Sequence, residues 1–296
     1  MEKTVPSMLN LGCGSRYRAD WVNVNFTSSG PGVIAANLRE GIPFPDASFD
    51  VVYHSHFLEH IPKPIAGDFL KECRRVLKPG GIIRVVVPDL EGLIRSYLLA
   101  LENARAGMEG WDHNYDWMML EMYDQVVRNE SGGEMARYLS EASVPNEEYA
   151  VGRCGAEVRN IIAAGRRIRC SASVSAQSAV FGARKLFDVV PVPDFIKLAF
   201  RMLRKTAGWK EMVVRLFLGR EYEVLRTGRF RHSGEIHQWM YDSYSMDKLL
   251  RVSGFRSVAV RSATESYIPD WSRQNLDTEP DGSVYKPDSL FIEAIK

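Results

Sequence analysis

The sequence predicts an α/β fold, a doubly wound and mostly parallel sheet interrupted by a large helical insertion. Three observations predict it. Short β-branched runs recur through the first ninety residues and return at the end of the 296-residue chain, as in strands covered on both faces. The first run leads into Leu9-Asn10-Leu11-Gly12-Cys13-Gly14-Ser15, a strand feeding a Gly-x-Gly turn of the kind that binds ligands at the carboxyl edge of such sheets. Between about residues 91 and 241, strand signals give way to helical spacings, too long a stretch to be a loop.

The elements follow in order. Strands are predicted at Val5–Leu11, Trp21–Phe26, Val33–Leu38, Phe49–Tyr53 and Ile82–Val87, the last bounded by Pro79-Gly80-Gly81 and Pro88. Between the fourth and fifth, Phe69, Leu70, Cys73, Val76 and Leu77 fall on one face of a helix. Six residues separate Gly14 from Trp21, so the first crossover has no room for the usual helix. After the insertion, Ser245–Ser253 reads as a helix closing at Gly254, followed by strands at Ser257–Val260 and from Ser289 onward. The predicted division is a core of residues 1–90 and 242–296 with a helical insertion, or lid, at 91–241.

A composition of 45% hydrophobic and 25% charged residues excludes a disordered polyelectrolyte or a fibre. No apolar run reaches the length of a membrane span. Four cysteines without a C-x-x-C pair, and no apolar leader before the first strand, predict a reducing, cytoplasmic compartment. The net charge of +1 conceals a polarised middle, −8 across residues 101–150 and +11 across 151–233. Within the basic half, residues 195–218 alternate Phe, Leu, Met and Trp with Lys and Arg, a pattern that packs on its own protein or lies on the inner face of an anionic membrane. The acidic stretch before it and the absence of an RNA-binding module argue against nucleic acid as a partner. Oligomeric state is not legible.

The Gly-x-Gly turn is not a dinucleotide fingerprint, because Tyr17 stands where the third glycine belongs. Two further runs lie at the right spacing behind it, Gly41-Ile-Pro-Phe-Pro-Asp-Ala-Ser-Phe-Asp-Val-Val-Tyr-His and Leu70-Lys-Glu-Cys-Arg-Arg-Val-Leu-Lys-Pro-Gly-Gly. Together these resemble the class I S-adenosylmethionine-dependent methyltransferases, in the bacterial type-11-like branch. The resemblance implies a Rossmann-like, seven-stranded methyltransferase sheet with S-adenosyl-L-methionine as cofactor. It implies that Gly12, Cys13 and Gly14 floor the cofactor, with Asn10 beside them and Ser15 and Arg16 near its carboxylate. Asn25 falls at the ribose, Asn37 and Leu38 beside the adenine, and His54 and Ser55 on the methionine side. Asn10 and Asn25 stand where the family commonly has an acid, and an amide replaces only part of a carboxylate's acceptor capacity.

Methyl transfer to a hydroxyl needs a base, and histidine suits neutral pH. Three of the six histidines follow the fourth strand and two precede the C-terminal core; His56 and His237 are the candidates for base or substrate contact. A zinc site from His54, His56 and His60 finds no thiolate or carboxylate at matching spacing, so no metal is expected. The long connection Thr264–Asp288, with Tyr267, Trp271, Arg273, Asn275, Asp277 and Tyr285, reads as a substrate-facing segment. It is similar to bacterial methyltransferases that accompany glycan and secondary-metabolite assembly. The expected function is O-methylation of a glycan or natural-product hydroxyl. N-methylation of a small amine and a non-catalytic, cofactor-binding regulatory role are the alternatives.

Overall fold

The structure is a computed structural model that describes residues 6–182 and 206–296. Seven strands form one sheet: β1 (Met8–Leu11), β2 (Val22–Asn25), β3 (Val33–Ala35), β4 (Phe49–Ser55), β5 (Leu77–Pro88), β6 (Arg256–Arg261) and β7 (Ser289–Ile295). Their order is β3-β2-β1-β4-β5-β7-β6, parallel except that β7 runs antiparallel to both β5 and β6. The sheet is the mostly parallel, Rossmann-like one that the sequence predicts. The chain leaves β1 toward β2 on one side and reaches β4 on the other, so the crevice of this sheet opens beyond the carboxyl ends of β1 and β4.

One face of the sheet is covered by helix α1 (Lys63–Val76), which begins with Pro64 near its N-terminus, and by α8 (Ser243–Val252), which starts in a capping box of Asp242 and Ser245. Phe69, Leu70, Cys73 and Val76 of α1 join Met246 and Leu250 of α8 in burying Leu9, Leu11, Val52, Val85 and Ile292. The opposite face lacks a first crossover helix, since residues 12–21 contain only turns. The connection between β6 and β7 fills that place. Ile268, Trp271 and Leu276 cover Trp21, Val51, Tyr53 and Val86.

This connection is fastened by a buried charge network. Arg84, fully buried on β5, donates to Asp277 at 2.7 Å and to Glu293 at 2.8 Å, and Tyr53 Oη donates to Asp277 at 2.7 Å. Most of Thr264–Asp288 is thus a packing element where a substrate-facing loop was expected. Trp271 and Asp277 are buried, Asn275 and Arg273 lie outside the cavities, and of the six side chains singled out only Tyr285 reaches one. Aromatic and polar residues read alike in sequence whether they cover a sheet or a ligand.

Between β5 and α8 the chain forms helices α2 (Leu90–Arg105), α3 (Trp111–Val127), α4 (Gly133–Leu139), α5 (Glu147–Gly182), α6 (Thr206–Leu218) and α7 (Glu221–Arg231). The helices α2 to α5 share a separate apolar cluster built on Leu93, Trp117, Met118, Leu139 and Ile162. Helix α5 breaks at Gly155, φ 66°, where the Tyr285 carbonyl approaches so closely that a Cβ would lie 2.3 Å from it. Part of the basic amphipathic stretch, 195–205, lies outside the described residues; in α6, Leu216 and Phe217 are exposed. No described helix is long and apolar enough to cross a membrane.

Removing one partner from a buried ion network leaves the others charged and unpaired. Asp277→Ala is therefore expected to lower the unfolding free energy by about 3–5 kcal/mol in a urea titration. A loss below about 1 kcal/mol, the scale of an exposed pair, would show that the network does not hold the connection to the sheet.

Candidate active site

The turn after β1 is shaped by glycine. Gly12 has φ 66°, and a Cβ there would lie 2.3 Å from the Phe57 ring; both facts exclude a larger residue. Its N–H and that of Cys13 donate to Val24 O at 2.8 and 3.2 Å, which holds the turn over the end of β2. Asn10, buried beneath, donates to Arg16 O at 3.2 Å and Asn23 Oδ1 at 3.3 Å. Its amide thereby fastens the turn.

Two cavities flank this turn. One of about 440 Å³ is lined by Gly12, Asn25, Phe26, Asn37, Leu38 and His56, among others. The second, about 190 Å³, is lined by Asn10, Cys13, Gly14, Ser15, Arg16 and Ser55 together with His56, Tyr285 and Lys286. They share Gly12 and His56. A ligand with a nucleoside end and an amino-acid end fits this pair. Asn25 and Asn37 place amides at the first end, that of Asn37 already bonded to Glu40 and the Arg39 N–H, and Ser15 and Lys286 place a hydroxyl and a cation at the second. The bare Cα of Gly12 lies beneath the join.

Two of the expected cofactor residues sit otherwise. His54 is fully buried, its ring 5.4 Å from that of Phe69, and lines neither cavity. Strand alternation explains this, because Tyr53 faces the Trp271 side and His54 therefore faces α1. Burial pushes its imidazole down to about 4, so it is neutral at physiological pH. The Arg16 guanidinium does not point to a carboxylate site. It donates to Leu276 O at 2.7 Å and Asn275 O at 2.8 Å, pairs with Glu279 at 3.1 Å and stacks on Tyr285 at 3.9 Å. It braces the turn against the C-terminal connection. The cation that lines this cavity without such carbonyl partners is Lys286, paired with Glu157 at 2.6 Å. The Gly155 kink, with Ala156 N donating to Tyr285 O at 3.0 Å, brings that glutamate in. Nothing in the sequence near Gly14 points to Lys286.

His56 holds the central position. It has φ 49°, a region sparsely populated by residues other than glycine. Its N–H donates to Val86 O at 2.9 Å. Its Nδ1 lies 3.2 Å from Glu59 Oε1 and its Nε2 2.9 Å from Ser289 Oγ. It also lines a third cavity, about 440 Å³, between the core and helices α3 to α5. Gln125, Arg128, Glu157, Glu235, Lys286 and Asp288 line that cavity alongside Met135, Leu139, Val158 and Ile161. His237 lines it too, without touching the cofactor-side cavities. Burial pushes His237 down to about 3, which suits a neutral contact rather than a base.

Glu59 was not singled out in the sequence and is fully buried among histidines. Burial alone would raise its carboxyl, but the imidazole of His56, with those of His60 and His237, outweighs this and holds it at about 2. A buried carboxylate against a histidine Nδ1 orients the ring and leaves Nε2 as the basic atom.

Substituting the turn glycine tests the cofactor site. In Gly12→Ala the new methyl group must displace Phe57 and adopt a left-handed φ. The affinity for S-adenosylhomocysteine, measured by calorimetry, is expected to fall about tenfold or more, the equivalent of about 1.4 kcal/mol. An unchanged affinity would place the cofactor elsewhere.

Residues 15–85 match the family model of a methyltransferase domain. A probable methyltransferase, ltbC, of Aspergillus luteorubrus is 40% identical over 85 residues, which are 27% of this chain and 30% of that protein. A probable S-adenosylmethionine-dependent methyltransferase of Mycolicibacterium smegmatis is 31% identical over 99 residues, 28% of this chain and 38% of that one. A solved S-adenosylmethionine-dependent methyltransferase from Archaeoglobus fulgidus aligns over 99% of this chain and 87% of its own, at 12% identity and a TM-score of 0.38. The chain thus spans about a third of the length of the curated relatives it matches. Residues 15–85 thus match a methyltransferase domain, and this part of the chain is similar to proteins named as S-adenosylmethionine-dependent methyltransferases.

Proposed function

We propose that the chain is a methyltransferase that O-methylates a hydroxyl of a glycan or natural-product acceptor, held between the core and the helical insertion, in the cytoplasm. The observation that carries this reading is the position of His56, which lines both cofactor-side cavities and the third cavity. A side chain at that junction meets the donor on one side and the acceptor on the other. The mixture of amide, carboxylate and cationic groups with aliphatic walls in the third cavity favours a polyhydroxylated acceptor with an apolar face. The free thiols of Cys13, Cys73 and Cys154 suit a reducing compartment.

When bound, S-adenosylmethionine supplies an electrophilic methyl group, so the protein has no covalent intermediate to form. The chain's own residues align the acceptor, exclude water and take one proton. Glu59 holds the Nδ1 side of His56, and Ser289 Oγ engages the Nε2 lone pair until an acceptor hydroxyl competes for it. Nε2 then accepts the hydroxyl proton. The buried Glu59 carboxylate stabilises the imidazolium that results. His237 and the polar groups of α3 and α5 orient the acceptor.

His56→Ala tests this, using S-adenosylhomocysteine release over a panel of glycoside and natural-product acceptors. Turnover is expected to fall about 10²–10⁴-fold, the usual scale of a lost general base, with S-adenosylhomocysteine affinity little changed. Unchanged turnover would reject a histidine base and favour an amine acceptor. Normal cofactor binding without turnover on any acceptor by the unsubstituted protein would favour the regulatory role.

A further inference from the structure

The turn behind His56 gathers donor atoms that proton transfer alone does not require. The carboxylate of Glu59 is fully buried; Oε1 stands 3.2 Å from His56 Nδ1, and Oε2 has no hydrogen-bond partner among the described residues. Leaving a buried ion short of partners is costly. Oε1 faces His56 and Oε2 remains open. The hydroxyl of Tyr241 is also buried, with no hydrogen-bond partner among the described residues.

Two histidines meet this carboxylate. His60 Nδ1 lies 3.1 Å from Ile236 O, and since a carbonyl only accepts, the proton sits on Nδ1 and the Nε2 lone pair is left over. That is the outer hydrogen bond that fixes the tautomer of a metal-ligating histidine. His237 arrives from the far side of the insertion on a strap: Gln238 N and Trp239 N donate to Glu59 O at 2.6 and 3.2 Å, and His237 N donates to Gln125 O at 2.9 Å. One ligand atom from each of Glu59, His60 and His237 lies within 4.8 Å of the other two. An ion bound about 2.1 Å from each draws the three together from that spacing. The neighbouring Arg128 is met by Glu235 at 3.4 Å and Asp124 at 4.0 Å.

In a comparable group, Glu121, Cys154 and Asp288, Glu121 is already engaged by Arg153 and by Trp117 Nε1.

We infer that Glu59, His60 and His237 bind a divalent first-row transition ion such as Zn²⁺, whose open coordination faces the cavity between core and insertion and takes an oxygen of the acceptor. Two imidazoles and a carboxylate are a donor set of such ions, with further positions left for water or substrate. His60 and His237 both line that cavity, next to His56. The role toward the acceptor rests on the proposed methyl transfer; the binding of the ion does not.

The full chain, stripped with chelator and dialysed, is titrated with Zn²⁺ by calorimetry and with Co²⁺ by visible absorption, and S-adenosylhomocysteine affinity is measured on the same sample. The expected result is about one ion per chain at micromolar affinity or tighter. His60→Ala and His237→Ala are each expected to weaken it about tenfold or more, while Cys154→Ser leaves it unchanged. Fewer than about 0.2 ions per chain in the unsubstituted protein overturns the site even if the variants fail to fold, as does an affinity in both histidine variants equal to that of the unsubstituted protein. Cofactor binding without Zn²⁺ binding removes the metal site and leaves the methyltransferase reading standing. Zn²⁺ binding without cofactor binding does the reverse.

Discussion

The contact on which the rest depends is that of the Phe57 ring with the bare Cα of Gly12. β1 and β4 lie side by side, and the crevice at their carboxyl ends is fixed by how closely the two following turns can approach. A Cβ at residue 12 would stand 2.3 Å from that ring, so only glycine lets the turns close on each other. Phe57 in turn lies beside His56 and two residues before Glu59. Closing the turns therefore sets the floor of the two cavities beside Gly12, the left-handed backbone of His56 and the burial of Glu59 in one packing event. The side chains with chemistry to perform are held by a contact between two that have none.

A second constraint comes from the short first crossover. With no helix between β1 and β2, one face of the sheet needs another cover, and the β6–β7 connection supplies it through Trp271, Ile268 and Leu276. The cover is apolar at its centre, while Arg84, Asp277 and Glu293 fix its register. Its far end carries Lys286 into the cofactor side and Asp288 into the third cavity. Arg16 ties the Gly-x-Gly turn to the same connection. The missing helix and the unusual position of Lys286 are thus two consequences of one shortened loop.

Much of the fold was legible because strands and helices repeat locally. β-branched runs, the Pro79-Gly80-Gly81 stop and the α1 periodicity each lie within a dozen residues, and the structure differs mainly in extending β5 back to Leu77. That Gly12 to Ser15, with Asn25, Asn37 and Leu38, line the cavities at this edge was legible for the same reason, since a strand end delivers its next residues to the crevice. Three features were not. His54 falls on the wrong side of an alternation that shifts with a single residue. Arg16 is satisfied by carbonyls some 260 positions away. Glu59 looks like an ordinary helical-turn glutamate until His237 is folded against it by backbone bonds from Gln238 and Trp239. Segment charge was legible only as a polarity along residues 101–233, not as the position of any one side chain.

In the proposed reaction the methyl group is transferred where three cavities meet at His56. The most direct measurement is a crystal structure of the chain with S-adenosylhomocysteine bound. The expected result is adenosine between Asn25 and Asn37, the amino-acid end near Ser15 and Lys286, and the sulfur beside His56, facing the cavity of α3 to α5. A sulfur turned away from His56, or a nucleoside seated outside the Asn25 and Asn37 cavity, would contradict it.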